Sequence, residues 1–297
     1  MVLSVDLGQS GTRIRSHGKN ITTARGKLAG EDPLVALRVV FENTEKLEAE
    51  TVALSCTGFN GIVPQTAAYA NLCHEFFGAT HVAVIDDGLA GFIGALQARS
   101  GVVLSIGGGV VSVGGNKGGF SHRDGLGSTF GDEGGGFWLG KCAITRALAY
   151  RQGRGTDDGL LKVFTAEVAA YDDLDVKNST DAATLAINSA HKLLDAADAG
   201  IKSAMKIRDE GAQLLADTVI ATWFGAHGTE LDSPEIAIHG GPSRNRSYVD
   251  AIQSTIAQVI PGAQFVDALG DNLDGAKWIG ENMLTDSPPL LRWGHVI

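Results

Sequence analysis

Proline and cysteine are scarce in this sequence, and each scarcity excludes a class of protein. The chain has 7 prolines among 297 residues and no triplet glycine period, which excludes collagen-like and low-complexity chains. Its 3 cysteines, Cys56, Cys73 and Cys142, form no C-x-x-C pair, and its 8 histidines show no metal-ligand spacing. We therefore expect reduced thiols, with no disulfide framework and no zinc or iron–sulfur site.

Positive charge and long apolar runs are also lacking. The chain has 24 Lys and Arg against 34 Asp and Glu and no dense basic run, so a nucleic-acid partner is not expected. The uncharged run at residues 100–116 is glycine-rich and shorter than the roughly 20 residues that span a membrane. The apolar residues 2–7 include Asp6 and follow no basic leader. These features predict a cytoplasmic protein without a membrane partner.

Glycine, by contrast, is abundant and unevenly placed. The chain has 40 glycines, about twice the usual roughly 7%. Fifteen of them lie between Gly101 and Gly140. Such a density lets main-chain N–H groups converge on an anion, and phosphate is the ligand we expect; the alternative is a set of tight hairpin turns.

Strand and helix patterns alternate along the first hundred residues. Val2–Leu7 reads as a buried strand, a glycine turn follows at residues 8–11, and Thr12–Ser16 reads as the returning strand of a hairpin. The pattern then predicts a helix at 31–47, a strand at 52–56, a helix at 65–77, a strand at 82–85 and a helix at 88–98. This alternation is typical of a layered α/β domain.

The sequence of the opening strand is repeated, in similar form, about one domain length later in the chain. V-L-S-V-D-L-G at residues 2–8 is followed by V-L-S-I-G-G-G at 103–109, and a second hairpin comes next. This repeat alone could be coincidence, but strand, helix, strand and helix patterns recur at 236–239, 245–259, 264–267 and 273–282. We expect two related α/β domains, 1–101 and 102–297.

The second domain contains a helical insertion at about 140–225. Its helices are expected at 132–151, 157–171, 181–194 and 199–224, with Asp157 and Asp181 as N-caps. The tail from Ser287, which includes Pro288 and Pro289, has no clear pattern, and it could return to the first domain.

Several carboxylates stand where strands end. Asp6 could hold Mg²⁺ beside a phosphate chain, or could be a turn residue. Asp86 and Asp87 follow the strand at 82–85, so each could cap the next helix, or one could be a general base for a hydroxyl nucleophile. Asp132 and Glu133, between glycines, could bind a polyhydroxylated ligand or form an acidic first helical turn.

A loop of small residues, Gly240-Gly241-Pro242-Ser243, joins the strand at 236–239 to the next helix. An adenine ribose could pack closely against it, since a helix N-terminus follows. The alternative is a tight loop in which Ser243 is the N-cap.

Together these segments resemble one family, that of the N-acetylglucosamine kinases and BadF-type ATPases, within the sugar kinase and actin superfamily. The sequence G-L-G-S-T-F-G-D-E-G-G-G-F-W-L-G at 125–140 is similar to the family's signature G-W-G-x-x-x-G-D-E-G-S-x-x-W-x-G. Residues 6–13 (D-L-G-Q-S-G-T-R) look like the first phosphate motif, 106–109 the second, and 238–245 the adenosine motif. The chain departs from the pattern at Leu126 for Trp, Gly108 for Thr and Val110 for Ser.

The resemblance implies two ribonuclease H-like domains with an interdomain cleft, ATP and Mg²⁺ as cofactors, and phosphorylation of glucosamine or N-acetylglucosamine at the 6-hydroxyl. It assigns Asp87 as the catalytic base and Asp6 as the metal residue. The residues it implies for the nucleotide are Asp6, Gly8, Gln9, Ser10, Gly11, Thr12, Gly107, Gly108, Gly109, Gly240, Gly241, Ser243 and Asn245. Those for the sugar are Thr57, Asp87, Gly125, Gly127, Asp132 and Glu133.

Two alternatives follow from the same resemblance. A BadF-type ATPase would couple ATP hydrolysis to a conformational change in a partner protein, but its iron–sulfur cluster needs ligands that the three cysteines do not convincingly supply. In a catalytically inactive sugar-binding regulator we would expect another residue in place of Asp87, but the sequence has Asp87. The resemblance leaves a homodimer open.

Overall fold

Two β-sheets organise the residues that the computed structural model describes, which are 1–9, 11–28, 30–156, 159–173 and 179–295. Their strands are β1 (Val2–Leu7), β2 (Thr12–Ser16), β3 (Lys19–Thr23), β4 (Thr51–Cys56), β5 (His81–Asp86), β6 (Gly101–Ile106), β7 (Val110–Asn116), β8 (Gly119–Asp124), β9 (Glu235–Gly240), β10 (Gln264–Phe265) and β11 (Leu291–His295). The strand orders are β11-β5-β4-β1-β2-β3 and β10-β9-β6-β7-β8. This is the mixed α/β architecture that the sequence predicts.

The helices include both those of the α/β layers and those of the predicted insertion. They are α1 (Pro33–Glu42), α2 (Ala67–Phe77), α3 (Asp87–Leu96), α4 (Gly136–Arg151), α5 (Gly159–Val163), α6 (Thr165–Asp173), α7 (Ser179–Asp198), α8 (Lys202–Gly225), α9 (Arg246–Val259) and α10 (Asn272–Asn282). Among the helices that the structure describes, none has the length and apolar character of a transmembrane segment.

The chain divides into two compact units. The first comprises Met1–Val103, Val113–His122 and Asp267–Ile297, and the second comprises Leu104–Ser112 and Arg123–Val266. The tail whose placement the sequence left open belongs to the first unit. There β11 pairs antiparallel with β5, from Leu291 opposite Ile85 to His295 opposite His81.

Parallel pairing brings three strand ends of the first unit to one edge of its sheet. β1 pairs parallel with β4, and β4 pairs parallel with β5, with Asp6 opposite Ser55 and Cys56 opposite Asp86. Every residue of β4 is buried, as expected of a strand with both faces covered. The residues that follow these strands are therefore neighbours in space.

Helix α1 ends five residues earlier than its apolar stripe predicts. Asp32 caps its start by accepting from the Leu34 N–H. At its other end, the Asn43 side chain donates to the Val39 carbonyl and the Thr44 hydroxyl donates to the Val40 carbonyl. These side chains satisfy carbonyl groups of the last turn, so the helix stops although apolar residues continue to Leu47.

The helical insertion differs from the prediction at its boundaries. Helix α4 begins at Gly136 and not at Asp132, because Asp132 (φ 60°) and Gly134 (φ 81°) have left-handed backbones. Two helices, α5 and α6, stand where one was expected at 157–171. Asp181 lies inside α7 and is not its N-cap, and the expected cap Asp157 lies outside the described residues.

Candidate functional site

The carboxylate of Asp6, at the end of β1, is held by two side chains. Its Oδ1 accepts a hydrogen bond from the Ser55 hydroxyl at 3.0 Å, and its Oδ2 accepts from the Arg13 guanidinium, with Nη2 at 2.6 Å. Arg13 also pairs with Asp271, the N-cap of α10. These interactions hold the pKa of Arg13 above its ordinary value, although burial opposes them. Asp6 is thus fixed in position and paired with a cation.

The two adjacent carboxylates at the end of β5 have different roles. Asp86 is fully buried and is the N-cap of α3: its Oδ1 accepts from the Gly88 N–H, and its Oδ2 accepts from the Gly61 N–H, both at 3.0 Å. Asp87 is the first residue of α3. The structure thus shows which of the two carboxylates caps the helix.

Asp87 has an unusual protonation equilibrium for a carboxyl group. Burial, the main cause, and the charge of Asp86 together raise its pKa to about 7, while the hydrogen bond from Thr57 opposes the shift. Thr57 follows β4 directly, and the Asn272 side-chain amide of α10 donates to the Asp87 carbonyl at 3.1 Å. The predicted sugar residues Thr57 and Asp87 are thus in contact, and a carboxyl with such a pKa can take up a proton near neutral pH.

The turn between β1 and β2 is closed by main-chain hydrogen bonds. The Gly8 N–H donates to the Gly11 carbonyl at 3.0 Å, and the Gly8 carbonyl accepts from the Lys27 N–H at 2.9 Å. Gln9 is exposed, whereas Ser10 lies outside the described residues. A Cβ on Gly26 would lie 2.6 Å from the Gly11 nitrogen, so residue 26 must be glycine for the two segments to meet.

Thr12, which the resemblance implies for the nucleotide, has its hydroxyl engaged inside the protein. It is fully buried, and its hydroxyl donates to the Arg25 carbonyl at 2.7 Å. Thr12 begins β2, where side chains alternate between the two faces of the sheet, and its own points into the core. The structure thus gives this hydroxyl a role in holding the 23–27 segment.

In the second unit, the glycines after β6 form a tight loop against the start of α4. The Gly107 N–H donates to the Gly109 carbonyl at 2.8 Å, and the Gly107 and Gly108 carbonyls accept from the N–H groups of Gly136 and Phe137 at 2.8 and 2.9 Å. The first N–H groups of α4 are therefore used by this loop. We call residues 107–109 the glycine loop.

Asp132 fastens the glycine loop from the other side. Its Oδ1 accepts from the Val110 N–H at 2.9 Å, and its own N–H donates to Asp124. A Cβ on Gly109 would lie 2.7 Å from Asp132 Oδ2. Burial, the largest cause, together with the charge of Asp124, raises the pKa of Asp132, and the hydrogen bond from Val110 opposes this. Asp132 is thus part of the loop's framework and not of a helical first turn.

The remaining predicted sugar residues of the second unit lie in an exposed segment. Gly125 and Gly127 both have left-handed backbones, with φ of 71° and 79°, and Glu133 is exposed. Two apolar side chains of the same segment also face solvent: Leu126 is 68% exposed and Phe130 is 86% exposed.

A cavity of about 770 Å³ lies within the second unit. Among its lining residues are four that the sequence predicts for the nucleotide: Gly107, Gly108, Gly241 and Asn245. One wall is formed by α7, which the sequence analysis did not implicate. That wall comprises Ile187, Asn188, Ala190, His191, Leu194, Asp195 and Asp198. Their spacing puts them on one face of the helix, but nothing in the sequence indicates which face of an insertion helix lines a pocket.

The loop after β9 completes this cavity. Gly240 (φ 115°) is required, because a Cβ there would overlap the Ile106 carbonyl. The Ser243 hydroxyl donates to the Gly240 carbonyl, and Asn245, not Ser243, caps α9 by accepting from the Tyr248 N–H at 2.8 Å. The Asn245 amide also donates to Asp198 of α7 at 2.7 Å, which joins the two walls.

The described residues contain no cluster of three or more side chains that could bind a metal ion by themselves. Burial raises the pKa of the Cys56 and Cys73 thiols above the ordinary value, so both are expected to stay protonated and unreactive. A Mg²⁺ ion that keeps most of its waters needs one carboxylate and not a protein cage, but both oxygens of Asp6 already accept hydrogen bonds from Ser55 and Arg13.

Comparison with known proteins identifies the fold of this chain. No protein-family model matches the chain, and no curated protein matches its sequence. Its structure is similar to a candidate N-acetylglucosamine kinase from Chromobacterium violaceum, with a TM-score of 0.66 and 18% identity over 93% of this chain and 96% of that one. It is also similar to a candidate N-acetylglucosamine kinase from Porphyromonas gingivalis, with a TM-score of 0.65 and 15% identity over 96% and 100%.

A third neighbour is a ROK family glucokinase from Streptomyces griseus, whose structure holds glucose and AMPPNP. Its TM-score is 0.55, with 16% identity over 95% of this chain and 99% of that one. At such identities the likeness concerns architecture. The chain therefore has the two-domain α/β fold of these sugar kinases, which confirms the fold class that the sequence predicts.

Proposed function

We propose that this protein is an ATP-dependent sugar kinase that phosphorylates an amino sugar, glucosamine or N-acetylglucosamine, at the 6-hydroxyl. The observation that supports this most directly is Asp87. It stands beside a capping carboxylate without being the cap, and its pKa is raised to about 7. A general base is most effective when its pKa lies near the working pH, because it is then both partly ionised and able to accept a proton.

The reaction that we propose moves one proton and one phosphoryl group. Asp87 accepts the proton of the sugar hydroxyl as the oxygen bonds to the γ-phosphorus of ATP, and the bond from that phosphorus to the β-phosphate oxygen breaks. The products are the sugar phosphate and ADP. Thr57, hydrogen-bonded to Asp87, orients the carboxylate toward the hydroxyl and favours its ionised form.

We assign the nucleotide to the cavity of the second unit. Its volume suits an adenosine, and the glycine loop at one side allows phosphate oxygens to approach main-chain atoms without a Cβ in the way. Asn245 is held on both sides by hydrogen bonds, so it presents a fixed polar group to the ligand. Mg²⁺ bound beside Asp6 would neutralise phosphate charge.

The preference for an amino sugar rests on the carboxylates of the exposed segment. Asp132 Oδ1 is used by Val110, which leaves Oδ2 and the exposed Glu133 to meet a substituent of the sugar. A hydrogen bond between a carboxylate and an amine or amide N–H is charge-assisted, and a hydroxyl in place of nitrogen loses part of it. Glucose is therefore expected to be a poorer substrate than either amino sugar.

The test is ADP release measured with a panel of glucosamine, N-acetylglucosamine, N-acetylmannosamine and glucose. We expect an amino sugar to raise turnover well above the rate with ATP alone, and to exceed glucose roughly ten- to hundred-fold in kcat/KM. Equal rates with glucose would refute the preference for an amino sugar but not the assignment as a sugar kinase. If no sugar raised turnover, the partner-coupled ATPase would be the better assignment.

A further inference from the structure

His122, which the sequence analysis did not single out, lies against the buried carboxylate of Asp86. Its Nε2 is 3.8 Å from Asp86 Oδ1, and the two side chains are 14% and 1% exposed. Histidine is the side-chain type whose charge ordinarily changes between about pH 5 and 8. At 3.8 Å the imidazolium and the carboxylate form an ion pair when the ring is protonated.

The contact depends on a glycine. Gly61 has a left-handed backbone (φ 76°), and its N–H donates to Asp86 Oδ2 at 3.0 Å. A Cβ at this position would lie 3.1 Å from Cγ of the His122 ring. One residue thus both binds the carboxylate and leaves space for the imidazole beside it.

Asp86 is the link between His122 and the proposed base. Both Asp86 oxygens accept hydrogen bonds from main-chain N–H groups, which fix the carboxylate in place. The next residue is Asp87, and the negative charge of Asp86 is one reason why Asp87 holds its proton. A positive charge at His122 offsets that negative charge.

We propose that His122 is a positioning residue: its imidazole holds the Asp86 carboxylate and, by its charge, sets how readily Asp87 gives up its proton. This rests on the proposed function only for the role of Asp87 in catalysis. The electrostatic relation among the three side chains is present without any ligand.

Other charged groups around the pair are already engaged. Asp6 of β1 is bound by Ser55 and Arg13, and Arg13 is shared with Asp271 of α10. Cys56 of β4 is buried, and burial keeps its thiol protonated by raising the pKa. From α10, which packs on α3, the neutral Asn272 reaches Asp87. His122 is thus the ionisable side chain that lies against the Asp86 carboxylate.

The test follows the titration of Asp87 through stability, without nucleotide or sugar. The free energy of unfolding is measured from pH 5 to 9 for proteins with Asp or Asn at position 87, and their difference gives the midpoint of Asp87 titration. This is repeated with His122→Gln and His122→Lys. We expect Gln, which removes the charge, to raise the midpoint by about 0.5–1 pH unit, and Lys, which keeps it, to leave the midpoint unchanged or lower.

His17→Asn is the control, since His17 is exposed and its left-handed backbone (φ 49°) tolerates Asn. Unchanged midpoints in both His122 variants would overturn the proposal, and so would equal upward shifts, because these would reflect packing and not charge. If the midpoints moved as expected but no sugar raised turnover, the charge relation would stand and the kinase assignment would fall.

A measurement on the parent protein covers the case in which a variant does not fold. The Asp87 carboxyl carbon, followed by NMR against pH, is expected to depart from a one-proton titration curve, because the charge of a second ionisable side chain reaches it through Asp86. A curve that fits a single independent proton would overturn the proposal. In a kinase, the acidic limb of the pH profile of kcat is expected to move with the stability midpoint, while the KM for ATP stays within about two-fold of the parent value.

Discussion

The Tyr248 hydroxyl donates a hydrogen bond to the Gly134 carbonyl over 2.8 Å, and both groups are buried. Gly134 has a left-handed backbone, and a Cβ there would lie 2.6 Å from Cγ of Leu215. Tyr248 belongs to α9, two residues into the helix that Asn245 caps. The N-terminal end of α9, which borders the cavity, is thereby tied to the turn that precedes α4.

Tyr248→Phe is expected to lower the free energy of unfolding by about 1–3 kcal/mol, because the Gly134 carbonyl loses its donor inside the protein. Chemical denaturation measures this. Tyr171→Phe, at an exposed tyrosine, is the matched control and should cost almost nothing. Equal stabilities of the two variants would show that Gly134 finds another partner.

Asp87→Asn is expected to reduce sugar-dependent kcat roughly 10²-fold or more, since Asn cannot accept the proton. ATP affinity should be unchanged, because Asp87 is not among the residues that line the cavity. Steady-state kinetics and calorimetric titration of ATP measure the two effects. Turnover close to that of the parent protein would remove Asp87 from the chemistry.

Asp86→Asn is expected to act on stability first. An Asn side chain has one acceptor oxygen where Asp86 uses two, so the N–H of Gly61 or of Gly88 is left facing an amide N–H. We expect a loss of about 1–3 kcal/mol in the free energy of unfolding. A large loss of kcat with unchanged stability would instead make Asp86 the base.

The raised pKa of Asp87 predicts how stability depends on pH. Because the folded protein binds this proton more tightly than the unfolded chain, whose carboxyl titrates near 3.8, stability falls as pH rises from about 4 to about 7 and then levels off. Asp87→Asn removes the effect. It should therefore stabilise the protein at pH 8 by up to about 4 kcal/mol, and much less at pH 4.5. An equal difference at both pH values would contradict the shift.

Gly109→Ala is expected to destabilise the second unit and weaken ATP binding. Its Cβ would meet the Asp132 carboxylate, which must then release the Val110 N–H. Gly107→Ala is the control in the same loop, because the nearest neighbour of a Cβ there, the Gly109 carbonyl oxygen, is 3.8 Å away. Thermal unfolding with and without ATP compares them. Similar losses in both would mean that Asp132 moves without cost.

The sequence predicts most central strands and the edge strand β10, and it misses the edge strands β3, β8 and β11. Buried strands such as β1 and β4 are continuous apolar runs with a recognisable pattern. By contrast, β3 reads K-N-I-T-T and β8 reads G-F-S-H-R-D, with mostly polar side chains and no alternation. Each stands at the end of its sheet, where pairing on one side suffices and little apolar area needs covering. Strand β11 is missed because its partner β5 is some two hundred residues earlier in the chain.

The candidate site is also predicted only in part. The position of Asp87 after a strand is visible in the sequence, whereas its freedom from capping depends on which of two adjacent carboxylates meets the Gly61 and Gly88 N–H groups. His122 became visible only when the fold placed it against Asp86. Contacts that join distant segments leave no local pattern, and the α7 wall of the cavity is missed for the same reason.

The Ile187 side chain fills the space beside Gly108. A Cβ on Gly108 would lie 2.9 Å from the Ile187 Cδ1, so the methyl group of α7 fills the volume that a larger side chain on the loop would need. The two positions should therefore vary together during evolution. Among homologues, those with threonine at 108 are expected to have alanine, serine or glycine at 187. The Gly108→Thr variant is expected to be less stable than a variant that also replaces Ile187 by alanine.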